Sequence, residues 1–152
     1  MICAVLMKTS IESVTPEESV VSAARLMRDG NIGFLPVCEE YSGRVLGTLT
    51  DRDIAMRLVA ERRPLWTRVE ELMTRDVIAC SPDDEIDAAE DLMAENQVSR
   101  VMCIDDDEQL VGVISLSDVA QMDGTHAART LEQVSAREAS LGSPLSPARH
   151  RR

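Results

Sequence analysis

Two seven-residue stretches of the chain could do chemistry. These are Gly47-Thr48-Leu49-Thr50-Asp51-Arg52-Asp53 and Gly112-Val113-Ile114-Ser115-Leu116-Ser117-Asp118. Each carries a hydroxyl and, three residues later, a carboxylate, at the junction of an apolar strand-like run and a helix-like run. The hydroxyl of Thr50 or Ser115 can donate to a phosphate oxygen, and Asp53 or Asp118, one turn on, can accept from two ribose hydroxyls. A helix start also presents amide N–H groups and partial positive charge to an anion. Gly47 and Gly112 leave room for a ligand to approach the backbone. Arg52 and Arg100 supply cationic groups nearby. The same spacing is also a helix-capping device with no functional content, so local pattern alone does not decide between the two roles.

The elements that position these stretches come in two copies. Leu6-Met7, Pro16, Ala23, Leu26-Met27, Gly47, Asp53 and Ala55 recur as Leu72-Met73, Pro82, Ala89, Leu92-Met93, Gly112, Asp118 and Ala120. The offset is 66 residues up to Met93 and 65 from Gly112 on, so one copy holds an extra loop residue. A two-unit repeat builds an interface and matched clefts between its copies. Each copy reads strand, helix, strand, strand, helix. Ile11 to Val14 is predicted as a short strand, and Thr15-Pro16-Glu17-Glu18 and Ser81-Pro82-Asp83-Asp84 are predicted to open helices that stop at Gly30 and Asn96. Strands are predicted over Phe34 to Cys38, Val45 to Leu49, Val101 to Ile104 and Leu110 to Ile114. The acidic link Asp105 to Glu108 reads as a solvated hairpin loop, and Glu61 to Pro64 punctuates the crossover between copies. The predicted division is residues 1–66, 67–125 and a C-terminal extension over 126–152, with a helical turn followed by disorder beyond about Val134.

Composition narrows the function further. The chain has 152 residues, 44% of them hydrophobic, and a net charge of -11. From His126 onward five arginines face two glutamates, leaving 11 basic and 25 acidic residues, a net -14, for the body. Such a body repels a phosphate backbone, so nucleic acid is excluded as a partner. No apolar run is long enough to span a membrane. The opening Met1 to Met7 reads as a first helical turn rather than a signal peptide, and a cytoplasmic location is expected. Cys3, Cys38, Cys80 and Cys103 lack paired metal-ligand spacing and the two histidines lie in the extension, so no metal site is expected. Buried, inert thiols are the ordinary reading, with a Cys80–Cys103 disulfide conceivable.

With (Leu-Met)-x(8)-Pro, the strand Leu35-Pro36-Val37, and Gly-x-x-(Thr/Ser)-x-x-Asp closing both copies, the chain resembles paired CBS domains, the Bateman module, over about residues 1 to 125. It is similar to small stand-alone bacterial two-CBS proteins. The resemblance implies an α/β (α+β) fold of two β-α-β-β-α repeats packed sheet to sheet about a pseudo-twofold axis, with two clefts for adenine nucleotides. Carried over, the first cleft would use Thr50, Arg52 and Asp53 with Val77 and Arg100. The second would use Ser115, Ser117 and Asp118 with Ser99 and Arg100, and Thr9, Ile11, Ile32 and Gly33 from the first repeat. With 2% aromatic residues, adenine would sit between aliphatic side chains such as Ile11 and Val77, for which plain core packing is the competing role. Met102 stands where the first repeat has Pro36, and Phe34 where the second has Arg100. Phe34 could fill one cleft.

The leading function is a non-catalytic regulatory module that needs no cofactor and takes AMP, ADP or ATP, or NAD or S-adenosylmethionine, as a regulatory ligand, with the regulated protein unidentified. The alternative is a ligand-free homodimeric interaction or stress-response protein with degenerate clefts, pairing through helices that carry Met27, Met56, Leu58, Met73 and Met93. An enzyme is disfavoured: no histidine lies in the repeated body, and Asp51 and Asp53 suit capping and ribose binding better than acid–base work. A redox role for Cys38 is the remaining catalytic idea.

Overall fold

The structure, a computed structural model, describes residues 1–140. The first repeat contributes α1 (Cys3–Leu6), α2 (Val20–Gly30), β1 (Phe34–Cys38), β2 (Val45–Thr50) and α3 (Asp51–Asp53), which runs on as a π-helical turn over Ile54–Val59. A 3-10 turn, Val69–Glu71, leads into β3 (Ala79–Cys80), α4 (Ile86–Asn96), β4 (Arg100–Ile104), β5 (Leu110–Ser115), α5 (Leu116–Met122) and α6 (Gly124–Ser140). The sheets are small: an antiparallel β1-β2 pair, and β3-β4-β5 with β3 parallel to β4. The extra residue of the first repeat lies in the β1-β2 hairpin, which has six linking residues against five between β4 and β5.

The strand expected over Ile11 to Val14 contracts to one parallel bridge, Val14 to Val37. The helices also start later than their capping sequences predict. Thr15 to Glu18 forms a separate turn in which the Glu18 carboxylate accepts from the Thr15 N–H at 2.7 Å, and α2 begins at Val20, capped by Ser19. The reason lies in the other repeat. The Pro16 and Glu18 carbonyls accept from the N–H groups of Glu70 and Val69 at 3.0 and 2.9 Å, so they cannot begin an α-helical ladder. The second repeat does the same, its Pro82 and Asp84 carbonyls accepting from Ala4 and Cys3 at 2.8 and 2.7 Å. The left-handed stops fall one residue beyond expectation, on Asn31 (φ 49°) and Gln97 (φ 53°).

The leading segments are thus exchanged. Residues at the start of each repeat bond to the body of the other, and they also bridge its second strand, Lys8 to Val113 and Thr74 to Thr48. These pairs map onto each other under the repeat offset, which is the pseudo-twofold relation in hydrogen-bond form. One apolar cluster fills each repeat and a third lies between the sheets, where Cys38, Val45 and Phe34 meet Met102, Ile104, Leu110 and Val113.

Two expectations need correction here. Met27, Leu58, Met73 and Met93 are core residues, and of the proposed pairing surface only Met56 is exposed. The chain also stays helical through Ser140, where order was expected to fade near Val134. Helix α6 packs on α4 and α5, burying Ala127 and Thr130, and the Thr130 hydroxyl donates to Glu90 at 3.0 Å. The rest of the expected disorder, 141–152, lies outside the described residues.

Candidate functional site

Each strand-to-helix corner closes as a capping box. At the first, the Asp53 N–H donates to Thr50 Oγ1 at 3.1 Å and the Thr50 N–H to Asp53 Oδ2 at 3.0 Å. At the second, the Asp118 N–H donates to Ser115 Oγ at 3.2 Å and the Ser115 N–H to Asp118 Oδ2 at 2.9 Å. The capping role is therefore real at both. The neighbouring amides are paired as well: Asp51 with the Gly33 carbonyl at 3.0 Å, Arg52 with Asp51 Oδ1 at 2.8 Å, and Leu116 with the Ser99 carbonyl at 2.9 Å. Most of the backbone donors expected to seat a phosphate are thus engaged, those of Asp51, Arg52 and Asp53 at the first corner and of Leu116 and Asp118 at the second.

The glycines also serve another purpose than ligand access. A Cβ on Gly47 would collide with the Thr74 carbonyl oxygen, and one on Gly112 would lie 2.5 Å from Met7 Sδ. Both are bare because the exchanged leading segment of the opposite repeat crosses them there. Gly33 is bare against Asp51, whose Oδ2 would sit 2.6 Å from an added Cβ.

The carboxylates differ in what their second oxygen meets. Asp118 Oδ1 takes Lys8 Nζ at 2.7 Å, and its side chain is only 6% exposed. Burial pushes its pKa up, but the hydrogen bonds from Lys8 and Ser115 together outweigh this and hold it below the ordinary value. Asp53 Oδ1 lies 3.9 Å from Arg57 Nε, outside hydrogen-bond range, and its side chain is 15% exposed. Arg57 is directed instead to the Leu72 carbonyl at 2.7 Å. The hydroxyls differ too: Ser115 Oγ donates to Asp118 Oδ2, whereas Thr50 has no such bond to Asp53 among the described contacts. Lys8, the only lysine in the chain, was missed as a site residue. Its signal was its place beside Thr9, in a repeat position where the other copy has Thr74.

The remaining candidates separate by contact. Ser99 and Arg100 lie at the second corner, Ser99 through its carbonyl and Arg100 opposite Ser115 in the β4-β5 register. Gly33 meets the first corner through Asp51, and Ile32 packs on the first core, so among the described contacts neither touches the second corner. Thr9 follows Lys8 and is exposed. Ser117 is exposed, with its Oγ 2.8 Å from Ser115 Oγ. Arg52 and Arg100 are exposed, and neither forms an ion pair among the described residues. Ile11 and Val77, equivalent under the repeat offset, belong to none of the apolar clusters, and Val77 is 40% exposed. Core packing does not account for them. Phe34 packs in the inter-sheet cluster with Val113, the bridge partner of Lys8.

One open groove of about 430 Å³ lies on α2, and another of about 460 Å³, between α5 and α6, is lined in part by Leu116 and Ser117 of the second corner. Neither holds Asp53 or Asp118.

The sequence pattern of the CBS domain matches residues 3–60 and again 69–123. The chain belongs to the CBS domain family. It is 37% identical over 131 residues to the CBS domain-containing protein YhcV of Bacillus subtilis, covering 85% of this chain and 91% of that protein. Its structure resembles the CBS domain pair of protein MJ0100, solved in complex with 5′-methylthioadenosine and S-adenosyl-L-methionine. The TM-score is 0.73 at 26% identity, over 82% of this chain and 97% of that one. It also resembles Hypoxic Response Protein I, solved with two coordinated zinc ions, with a TM-score of 0.72 at 30% identity over 80% of this chain and 98% of that one. Among the described residues, no helix is long and apolar enough to cross a membrane.

Proposed function

We propose that this tandem CBS protein is a regulatory module that binds an adenosyl ligand at its strand-to-helix corners, without catalysing a reaction. The observation that carries this reading is Asp53: a largely buried carboxylate with one oxygen fixed by its cap and the other outside hydrogen-bond range of any cation among the described residues. That second oxygen is suited to a ribose diol. Ile11 and Val77, apolar yet outside every core cluster, suit the faces of an adenine ring.

The engagement of most corner amides and the acidic body favour a ligand with few or no phosphates. A triphosphate would bring up to four negative charges to a chain of net charge -11, with Arg52, Arg57 and Arg100 as exposed cations near the corners and Lys8 already paired with Asp118. Methylthioadenosine, S-adenosylmethionine and AMP are therefore preferred over ADP, ATP and NAD. The MJ0100 complexes support this class of ligand. Calorimetric titration with all six compounds tests it. The expected result is a dissociation constant below about 1 mM, weakest for ATP, with binding lost in the Asp53→Ala/Asp118→Ala double variant. Binding that survives the double variant, or no binding by any compound, refutes the reading.

A second reading, an interaction protein acting as a homodimer, rests on a different observation. Met56, Val59, Leu65 and Trp66 are all more than half exposed on the first repeat, and Trp66 is 80% exposed. Sedimentation at micromolar concentration tests it, and a monomer there counts against it.

A further inference from the structure

The two corners have the same fold but different electrostatics, and the difference comes from one residue. We infer that Lys8 is an intramolecular latch on the second corner, so that the two clefts are not equivalent: the first is ready to take an adenosyl ligand and the second is closed by the chain's own ammonium group. This inference rests on the adenosyl-binding reading above and extends it to occupancy.

At the second corner every oxygen of Asp118 is engaged. Oδ2 accepts from the Ser115 N–H and hydroxyl, and Oδ1 accepts from Lys8 Nζ at 2.7 Å. A ribose diol approaching Oδ1 meets Nζ and the end of the lysine stem. The lysine is held in place by its backbone, since its N–H and C=O both bond to Val113 at 2.9 and 3.0 Å. That exchange of bonds ties the second corner to the leading segment of the opposite repeat. At the first corner the equivalent bridge exists, Thr74 to Thr48 at 2.9 Å in both directions. Threonine, however, is too short and uncharged to reach Asp53. Among the described residues the cation nearest Asp53 is Arg57, at 3.9 Å, and its guanidinium is turned to the Leu72 carbonyl. Phe34 adds to the contrast, because it packs in the inter-sheet cluster while its equivalent Arg100 is solvent-exposed.

The latch is releasable. Lys8 is 69% exposed, so its ammonium can swing into solvent while Asp118 keeps its bonds to Ser115. A ligand with its own anionic group could draw the ammonium away from Asp118 and so occupy the second cleft at higher concentration.

The experiment compares wild-type protein with Lys8→Met, and with Lys8→Gln as a second variant, by calorimetric titration with AMP and with 5′-methylthioadenosine. The expected result is one site per wild-type chain, lost in Asp53→Ala. Lys8→Met should gain a second site, or tighten a weak one about ten-fold or more, and Lys8→Met/Asp118→Ala should return to one. A wild-type protein with two equal sites overturns the latch and leaves the proposed function standing. Weaker binding in Lys8→Met also overturns it, showing the lysine to be a ligand. If wild type binds neither probe while Lys8→Met gains an Asp118-dependent site, the latch stands and the first-corner reading falls. If no variant binds either probe, both fall. Melting temperatures of both lysine variants close to wild type exclude a folding defect.

Discussion

Gly47→Ala tests the exchanged architecture most directly. The added methyl carbon would collide with the Thr74 carbonyl oxygen and lie 3.1 Å from its carbon and 3.3 Å from Arg75 Cα. These are backbone atoms, which cannot rotate aside. The leading segment of the second repeat must therefore move, and it is held there by two hydrogen bonds of 2.9 Å between Thr48 and Thr74. Losing both costs about 1 to 3 kcal/mol, and overpacking a tight contact about 1 to 3 kcal/mol more, so a loss of about 2 to 6 kcal/mol is expected. At about 2 to 4 °C per kcal/mol for a chain of this size, the melting temperature should fall by roughly 4 to 24 °C. Urea denaturation gives the free energy directly. Gly124→Ala is the control, since nothing lies within 4 Å of a Cβ there; it should change stability by less than about 1 kcal/mol in either direction. A Gly47→Ala protein within 1 kcal/mol of wild type would refute the exchange of leading segments.

Ile11→Ala and Val77→Ala should each cost under about 1 kcal/mol of stability, because neither residue belongs to a core cluster, while weakening adenosyl binding about ten-fold; a large stability loss would make them core after all. The pKa of Asp118 is held below the ordinary carboxylate value, so the stability it contributes is present above about pH 4 and lost as pH falls below that. Urea midpoints between pH 5 and pH 2.5 should accordingly fall less steeply for Asp118→Asn than for wild type, and equal slopes would remove the charge-assisted role. The thiols should be inert in the folded protein. Burial and the adjacent Cys80 push Cys3 up to about 12, a contact with Cys103 and burial push Cys80 higher still, and burial raises Cys38. Titration with a chromogenic disulfide at pH 8 should find no fast-reacting thiol in native protein and all four in urea; a fast native thiol would revive the redox idea.

The hairpins were readable residue by residue. Phe34 to Cys38 forms as expected, and the other three strands differ by a single terminal residue, because alternating apolar residues and turn chemistry are local properties. The capping boxes at Thr50 and Ser115 were legible for the same reason. What the pattern could not carry was the competition for the Pro16, Glu18, Pro82 and Asp84 carbonyls. Their partners lie more than 50 residues away, and they delay both helices by several residues.

Sequence alone determined that one unit is used twice, that its two corners match, and that Asp53 and Asp118 occupy equivalent places in them. Periodicity and local hydrogen-bonding chemistry suffice for that. Only the tertiary structure decided which repeat each leading segment serves, why Gly47 and Gly112 must lack side chains, and that the equivalent carboxylates face different partners. Those outcomes depend on distances between residues far apart in the chain. A single lysine at position 8, reaching 110 positions along the sequence to Asp118 across a 2.7 Å contact, makes two corners of one design chemically distinct.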